Sequence, residues 1–281
     1  MNKKWVIGVV LCGLVAGAGT LGYRAYRYVT TDNASVEAKT TLLSAEVAGT
    51  IETVNVEENQ RVKAGQVLAT LRTVNYQNAL NLSKADYASL AVQQRNAQTN
   101  YKRSLALYKV GAETKERVDA TQAAFNALTE KLKAADAQVK QSEENFSHTE
   151  IKAPADGRVA KKSFEVGMAV VPGQPLMGFV IGDDRWVVAN FKETELAGIV
   201  PGKPAKVVID AIAHRTFEGE VESISPSTGA AFSLLPPDNA VGNFTKVVQR
   251  VPVKIRLTHL SKADVVLLQA GLSAEVSVKR R

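Results

Sequence analysis

Three histidines, His148, His214 and His259, are the residues with which this chain could most readily bind a metal or move a proton. They are far apart in sequence and form no HxxxH or HExxH pattern, so no pair projects from one helix face toward a shared ion. Met168 and Met177 are the only methionines besides Met1, too few for a thioether-rich site selecting copper or silver. Cys12 is the single cysteine, which rules out an internal disulfide and a thiolate cluster. No glycine-rich phosphate loop is present, so ATP hydrolysis by that route is not expected. The expectation is a non-enzymatic chain that uses no cofactor and no resident metal. Its function must then reside in surfaces and shape.

Composition narrows those surfaces. The 281 residues are 45% hydrophobic, as in a folded protein, and carry a net charge of +7. That charge suits an anionic membrane surface, or is simply a solvated basic face. No Lys/Arg cluster lies beside an aromatic platform, so nucleic acid is not an expected partner.

A repeated motif organises the chain. Val47-Ala48-Gly49-Thr50-Ile51 is followed by Asn59, Val62, Gly65-Gln66 and Leu68. Ala155-Asp156-Gly157-Arg158-Val159 is followed by Gly167, Val170, Gly173-Gln174 and Leu176, every element shifted by the same 108 positions. Each copy reads as short alternating strands, with Gly49, Gly65, Gly157 and Gly173 marking turns. Two such halves close into one small β-module only if the chain leaves and returns at adjacent points.

The intervening segment reads as helix. Between Gly65 and Gly157 there is no proline, and Gly111 is the only glycine, marking the reversal. Val118, Phe125, Leu132, Val139 and Phe146 recur every seven residues, with Leu128 and Ala135 at the intervening positions. That is a coiled-coil seam. The first arm answers with Leu80, Tyr87, Tyr101 and Tyr108, interrupted by Gln94, with Leu90 and Ala97 beside them. Arms of this length extend roughly 50 Å. Alanine- and glutamine-rich faces (Ala123, Ala127, Ala134, Gln93, Gln98) are left for lateral packing of further hairpins.

Residues 5–22 contain no charge and suffice to cross a bilayer at about 1.5 Å per residue. Lys3 and Lys4 favour a cytoplasmic N-terminus, with Arg24 and Arg27 opposing on the far side. Two other readings use the same segment: a cleaved signal at Ala16-Gly17-Ala18, or a lipoprotein at Cys12, where Leu11 is bulky for a lipobox.

Taken in order, these features resemble the periplasmic adaptors, or membrane fusion proteins, of the HlyD family. Thr31-Asp32-Asn33-Ala34-Ser35-Val36 resembles the family's lead-in strand, and Val188-Ala189-Asn190-Phe191-Lys192-Glu193 its first barrel strand. Gly229-Ala230-Ala231-Phe232-Ser233-Leu234-Leu235-Pro236-Pro237, with Val247-Val248-Gln249-Arg250-Val251-Pro252-Val253, resembles the EmrA-like branch. The resemblance implies a mainly β fold with a long α-helical coiled-coil hairpin. Its expected parts are a stub and transmembrane anchor (1–30), a lead-in strand (31–43) and a split lipoyl-like barrel-sandwich domain (44–72 and 150–181). The hairpin (73–149) and a C-terminal β-barrel (182–281) complete it. The hairpin is shorter than is common in that branch. Lipoate and biotin carriers share the β-halves but present a modified lysine between them. Here the coiled coil replaces that hairpin, and Lys152 is too near Gly157 to occupy its tip.

Adaptors that dock onto TolC-type outer-membrane channels carry Arg, Leu and Ser at the hairpin tip, and Arg103, Leu107 and Thr114 keep that spacing, with Thr for Ser. Arginine would supply a multi-donor fork and leucine a small apolar anchor. Taken singly, the same residues also fit a solvated Arg103, a core Leu107 and a helix cap at Thr114. The resemblance further implies a single-pass inner-membrane protein with its body in the periplasm of a Gram-negative bacterium. Its implied partners are a major-facilitator-type transporter that supplies the energy, a TolC-type channel and further copies of the chain in a trimeric or hexameric ring. The implied cargo is drugs or amphipathic small molecules. A type I secretion adaptor working with an ABC transporter, or a non-conducting envelope tether, are the alternatives.

Overall fold

A computed structural model describes residues 27–212, 215–229 and 248–280. The apolar run at 5–22, His214 and most of the 229–237 motif lie outside the described residues. Among the described residues no helix is long and apolar enough to cross a membrane. The chain divides into two compact units, one of residues 40–182 and one of residues up to 39 together with 183–281. The division falls within two long strands, β1 (Tyr28–Ser44) and β8 (Pro175–Lys192).

The unit of residues 40–182 joins β-strands to two long helices. Its strands β2 (Gly49–Val54), β3 (Arg61–Val62) and β4 (Val67–Leu71) come before the helices. Strands β5 (Glu150–Lys152), β6 (Gly157–Lys162) and β7 (Ala169–Val170) follow them. β5, β4, β2 and β7 form one sheet, while β6 pairs with β3 and with the first part of β8. The buried core draws equivalent positions from both copies of the repeat: Ile51 and Val159, Val56 and Phe164, Val62 and Val170, Leu68 and Leu176, Leu71 and Phe179. The pairing of the two makes one core.

Between the halves run α1 (Val74–Lys109, 36 residues) and α2 (Lys115–Ser147, 33 residues). Side-chain contacts pair Ser83 with Ser142, Gln94 with Thr129 and Tyr101 with Phe125, so the helices run antiparallel. At about 1.5 Å per residue, α1 is roughly 54 Å long.

In the second unit, β9 (Pro204–Ile209), β10 (Thr216–Ile224), β11 (Arg250–Leu257) and β12 (Ser273–Lys279) join the outer parts of β1 and β8. The neighbour order is β1-β12-β9-β10-β11-β8, and a β1–β8 pairing closes the circuit, giving a barrel-like sheet. Inward positions alternate along the strands, as in Val207, Val221, Val253, Ile255, Val276 and Val278, with breaks at the register shifts in β1 and β10, and they fill the interior with β-branched side chains. A 3₁₀ turn (Glu193–Gly198) and the short helix α3 (Lys262–Leu267) connect strands. Ser261 and Asp264 close a reciprocal capping box on α3.

Candidate functional site

The repeat in sequence is a repeat in backbone geometry. Asn59 (φ 66°) and Gly167 (φ 87°) occupy the left-handed region at matching positions, as do Gly65 (φ 75°) and Gly173 (φ 82°). Hydrogen bonds then cross reciprocally between the halves. Asn59 N–H donates to the Val159 carbonyl (2.9 Å), and Gly167 N–H donates to Ile51 (2.8 Å). Gly65 N–H donates to Ala153 and Gly173 N–H to Ala45, both at 2.8 Å. Each half therefore supplies the turn that satisfies the other's strand ends, and the helices leave and re-enter a shared framework.

Gly49 and Gly157 depart from the turn role expected of them. Each opens a strand, β2 and β6 respectively, and neither has a positive φ. The reason for glycine at 157 is close approach: a Cβ there would lie 2.2 Å from the Val180 carbonyl oxygen and 2.8 Å from the Phe179 ring. At Gly49 the equivalent atom would meet only Leu71, at 3.4 Å.

Along the helical hairpin, Val118 is buried and Phe125, Leu132, Val139 and Phe146 are partly buried, all on one face of α2. Tyr101 stacks on Phe125, with ring centroids 6.1 Å apart. Gln94, which interrupts the apolar run, reaches Thr129 Oγ1 at 3.4 Å. Tyr87 and Tyr108 are exposed, whereas Ser83, Ser104 and Ser142 are buried. Serine is silent in a hydrophobic pattern, and only the facing helix reveals that these positions are enclosed. Ser83 and Ser142 share a hydrogen bond of 2.9 Å, while Ser104 Oγ has no partner. Beside the seam, Ser83, Ser89, Leu90, Gln93, Ala134 and Gln138 line an open groove of about 530 Å³.

The tip follows from local chemistry. Gly111 has φ 74°, its N–H donates to the Tyr108 carbonyl (3.0 Å), and Ala112 N–H donates to Leu107 (3.0 Å). This is a Schellman termination, which glycine accommodates because it has no Cβ to clash. Thr114 then caps α2, its Oγ1 accepting from Arg117 N–H at 3.3 Å, with Glu116 in the first turn. Arg103 and Leu107, four residues apart, share a face of α1. Arg103 is exposed and Leu107 is 40% exposed, so Leu107 is not a core residue. Tyr108 (43%) and Val110 (76%) add apolar surface there. Val110 could have been noticed as an apolar residue beside the reversal that belongs to no seam position.

The remaining sites of interest lie elsewhere. His148 is the C-cap of α2, and its Nδ1 is 2.8 Å from Glu46 Oε2. His259 is in a loop with φ 56°. Lys152 pairs with Glu150 at 2.8 Å. Met168 packs against the core of its unit, and Met177 is within it. Among the described residues no group of three or more His, Cys, Asp or Glu side chains could hold a metal ion.

Residues 39–182 match the family model described as "RND MFP, barrel-sandwich hybrid domain". The chain is 33% identical over 296 residues to the multidrug export protein EmrA of Haemophilus influenzae, covering 89% of this chain and 76% of that protein. It is 30% identical over 333 residues to the colistin resistance protein EmrA of Acinetobacter baumannii, covering 98% and 94% respectively. Among solved structures, the membrane fusion protein Spr0693 of Streptococcus pneumoniae shares the fold, with a TM-score of 0.66, 15% identity and coverage of 90% of this chain and 99% of that one. A domain match over half the sequence and relatives aligned along most of it place the chain in the membrane fusion protein family of periplasmic adaptors, in its EmrA-like branch.

Proposed function

We propose that this chain is the adaptor of a tripartite efflux pump, bridging an inner-membrane transporter and a TolC-type outer-membrane channel. The observation that carries the reading is the reciprocal interlock of the two β-halves. It forces a long antiparallel helix pair out of a single rigid base, and such a rod suits spanning a gap.

In this reading residues 5–22 anchor the chain in the inner membrane with the body in the periplasm. The β-module is the lipoyl-like domain, and copies of it pack side by side into a trimeric or hexameric ring. The helix pair works as a coiled coil, its apolar seam consumed internally. The groove lined by Ser89, Gln93, Ala134 and Gln138 is the lateral face on which a neighbouring hairpin packs. At the tip, the exposed Arg103 and Leu107 and the capping Thr114 engage the channel. The adaptor is non-enzymatic: it seals and couples, while a partner of the major-facilitator type supplies the energy. The cargo is amphipathic small molecules, in keeping with the multidrug and colistin phenotypes in the names of the relatives.

The test is the double variant Arg103→Ala/Leu107→Ala. Both side chains are solvent-facing, so helix content and expression should stay unchanged. Drug export and cysteine crosslinking between tip and channel should fall at least tenfold. Wild-type export by this variant would remove the docking assignment.

A further inference from the structure

We propose that one end of the barrel unit is a docking surface for anionic lipid headgroups, so that this unit is held at the membrane by charge as well as by the anchor. The proposal rests on the reading of residues 5–22 as a membrane anchor.

The register of the strands defines that end. Tyr28 pairs with Lys279, Val278 with Ala205, Pro204 with Glu220, and Lys192 with Arg250. The first residues of β1, β9 and β11 and the last of β8, β10 and β12 therefore gather together. This is the end at which the chain arriving from residue 26 enters the barrel. Arg27, Lys192, Lys203, Arg250, Lys279 and Arg280 all lie there, against Glu193 and Glu195 and, on the last part of β10, Glu220 and Glu222, whose carboxylates pair instead with Arg256 and Lys254. Arg27, Lys192 and Arg250 are exposed, and the other three basic residues are partly exposed. Lys192 is only loosely matched by Glu195, at 4.0 Å.

At the opposite end the balance reverses among the described side chains, with Asp183, Asp184, Asp210 and Asp264 against Arg185 and Arg215. A uniformly basic protein would show cations at both ends. Here the cations outnumber the acids at the end next to the expected membrane. Tyr28, partly exposed at the first position of β1, is the amphipathic residue type that favours the headgroup layer. Basic residues adjoining a membrane gain from an anionic surface within a Debye length, about 8 Å at physiological salt.

The full-length chain reconstituted in nanodiscs tests this. One set of discs is phosphatidylcholine alone, the other phosphatidylcholine with 30% phosphatidylglycerol, and amide hydrogen exchange is read at residues 192–203 and 279–280. Exchange should be slower in the anionic discs, and the difference should vanish in 0.5 M NaCl. In Lys192→Gln/Lys203→Gln/Lys279→Gln the protection should fall on the order of tenfold, while strands β9 and β10 exchange as in the parent. Equal exchange in both discs overturns the proposal. So does protection that appears only when the transporter is present, which would assign the surface to a protein partner. Failure to enter phosphatidylcholine discs would sink the anchor reading, whereas salt-sensitive binding to anionic vesicles alone would leave the headgroup surface standing.

Discussion

Replacing Gly157 by alanine, with Gly49→Ala as its matched control, tests the packing of the β-module most directly. The two glycines are equivalent in the repeat and both open strands, so any argument from local conformation predicts the same outcome for both. The surroundings predict different outcomes. At 157 the new methyl would lie 2.2 Å from the Val180 carbonyl oxygen, more than 1 Å inside ordinary contact, and 2.8 Å from the Phe179 ring. The clash is with backbone in the strand that pairs with β6, through Arg158↔Val180, so no rotamer relieves it. Overpacking of this kind costs about 1–3 kcal/mol, and a backbone obstacle puts the cost near the upper end. At 49 the methyl meets Leu71 at 3.4 Å, an ordinary contact, and the stiffer unfolded chain contributes about 0.4–1 kcal/mol of stabilisation. With two units present, global melting is a poor measure, so segment-resolved hydrogen exchange is the assay. A loss of about 3 kcal/mol makes residues 157–162 and 175–181 exchange on the order of a hundredfold faster. Gly49→Ala should match or slow the parent. Equal effects at the two sites, or a harmless Gly157→Ala, would refute the reasoning.

The hairpin and the barrel offer two further checks. Ser104 Oγ is buried without a partner, so Ser104→Ala should stabilise the helices by about 1 kcal/mol in urea unfolding followed by circular dichroism. Ser83→Ala should instead cost about 1 kcal/mol, because it strips Ser142 of its 2.9 Å bond, and Ser83→Ala/Ser142→Ala should cost less than the sum of the singles. In the barrel, hydrogen bonds from Ser261 and the nearby Arg215 guanidinium hold the Asp264 carboxyl below its ordinary value of 3.8. A depressed folded-state pKa means that its contribution is complete above 3.8 and is lost as the pH falls through the lowered value. Exchange at residues 261–268 should therefore accelerate in acid, and Asp264→Asn should flatten that dependence while loosening α3 at neutral pH.

Much of the β-module was legible in the residue order because turns are local events. A glycine or asparagine can enter the left-handed region on its own account, so Asn59, Gly65, Gly167 and Gly173 announce their geometry at matching positions before any packing is considered. The reversal at Gly111 and the cap at Thr114 are legible for the same reason. The apolar face of α2 is legible because helical periodicity projects every seventh residue onto one side.

What the linear order leaves open is every property that depends on a surface arriving from far along the chain. Gly49 and Gly157 carry the same letter, yet only at 157 does a distant strand approach closely enough to exclude a methyl, because Phe179 and the Val180 backbone lie opposite. Ser83, Ser104 and Ser142 look solvent-facing until a second helix covers them, while Tyr87 and Tyr108 look like seam residues until it does not. The gathering of cations at one barrel end is likewise invisible in sequence, since Arg27, Lys192, Arg250 and Lys279 become neighbours only when antiparallel register brings six strand ends together. Local chemistry determined where this chain turns, and nonlocal contact decided what each turn and face is for.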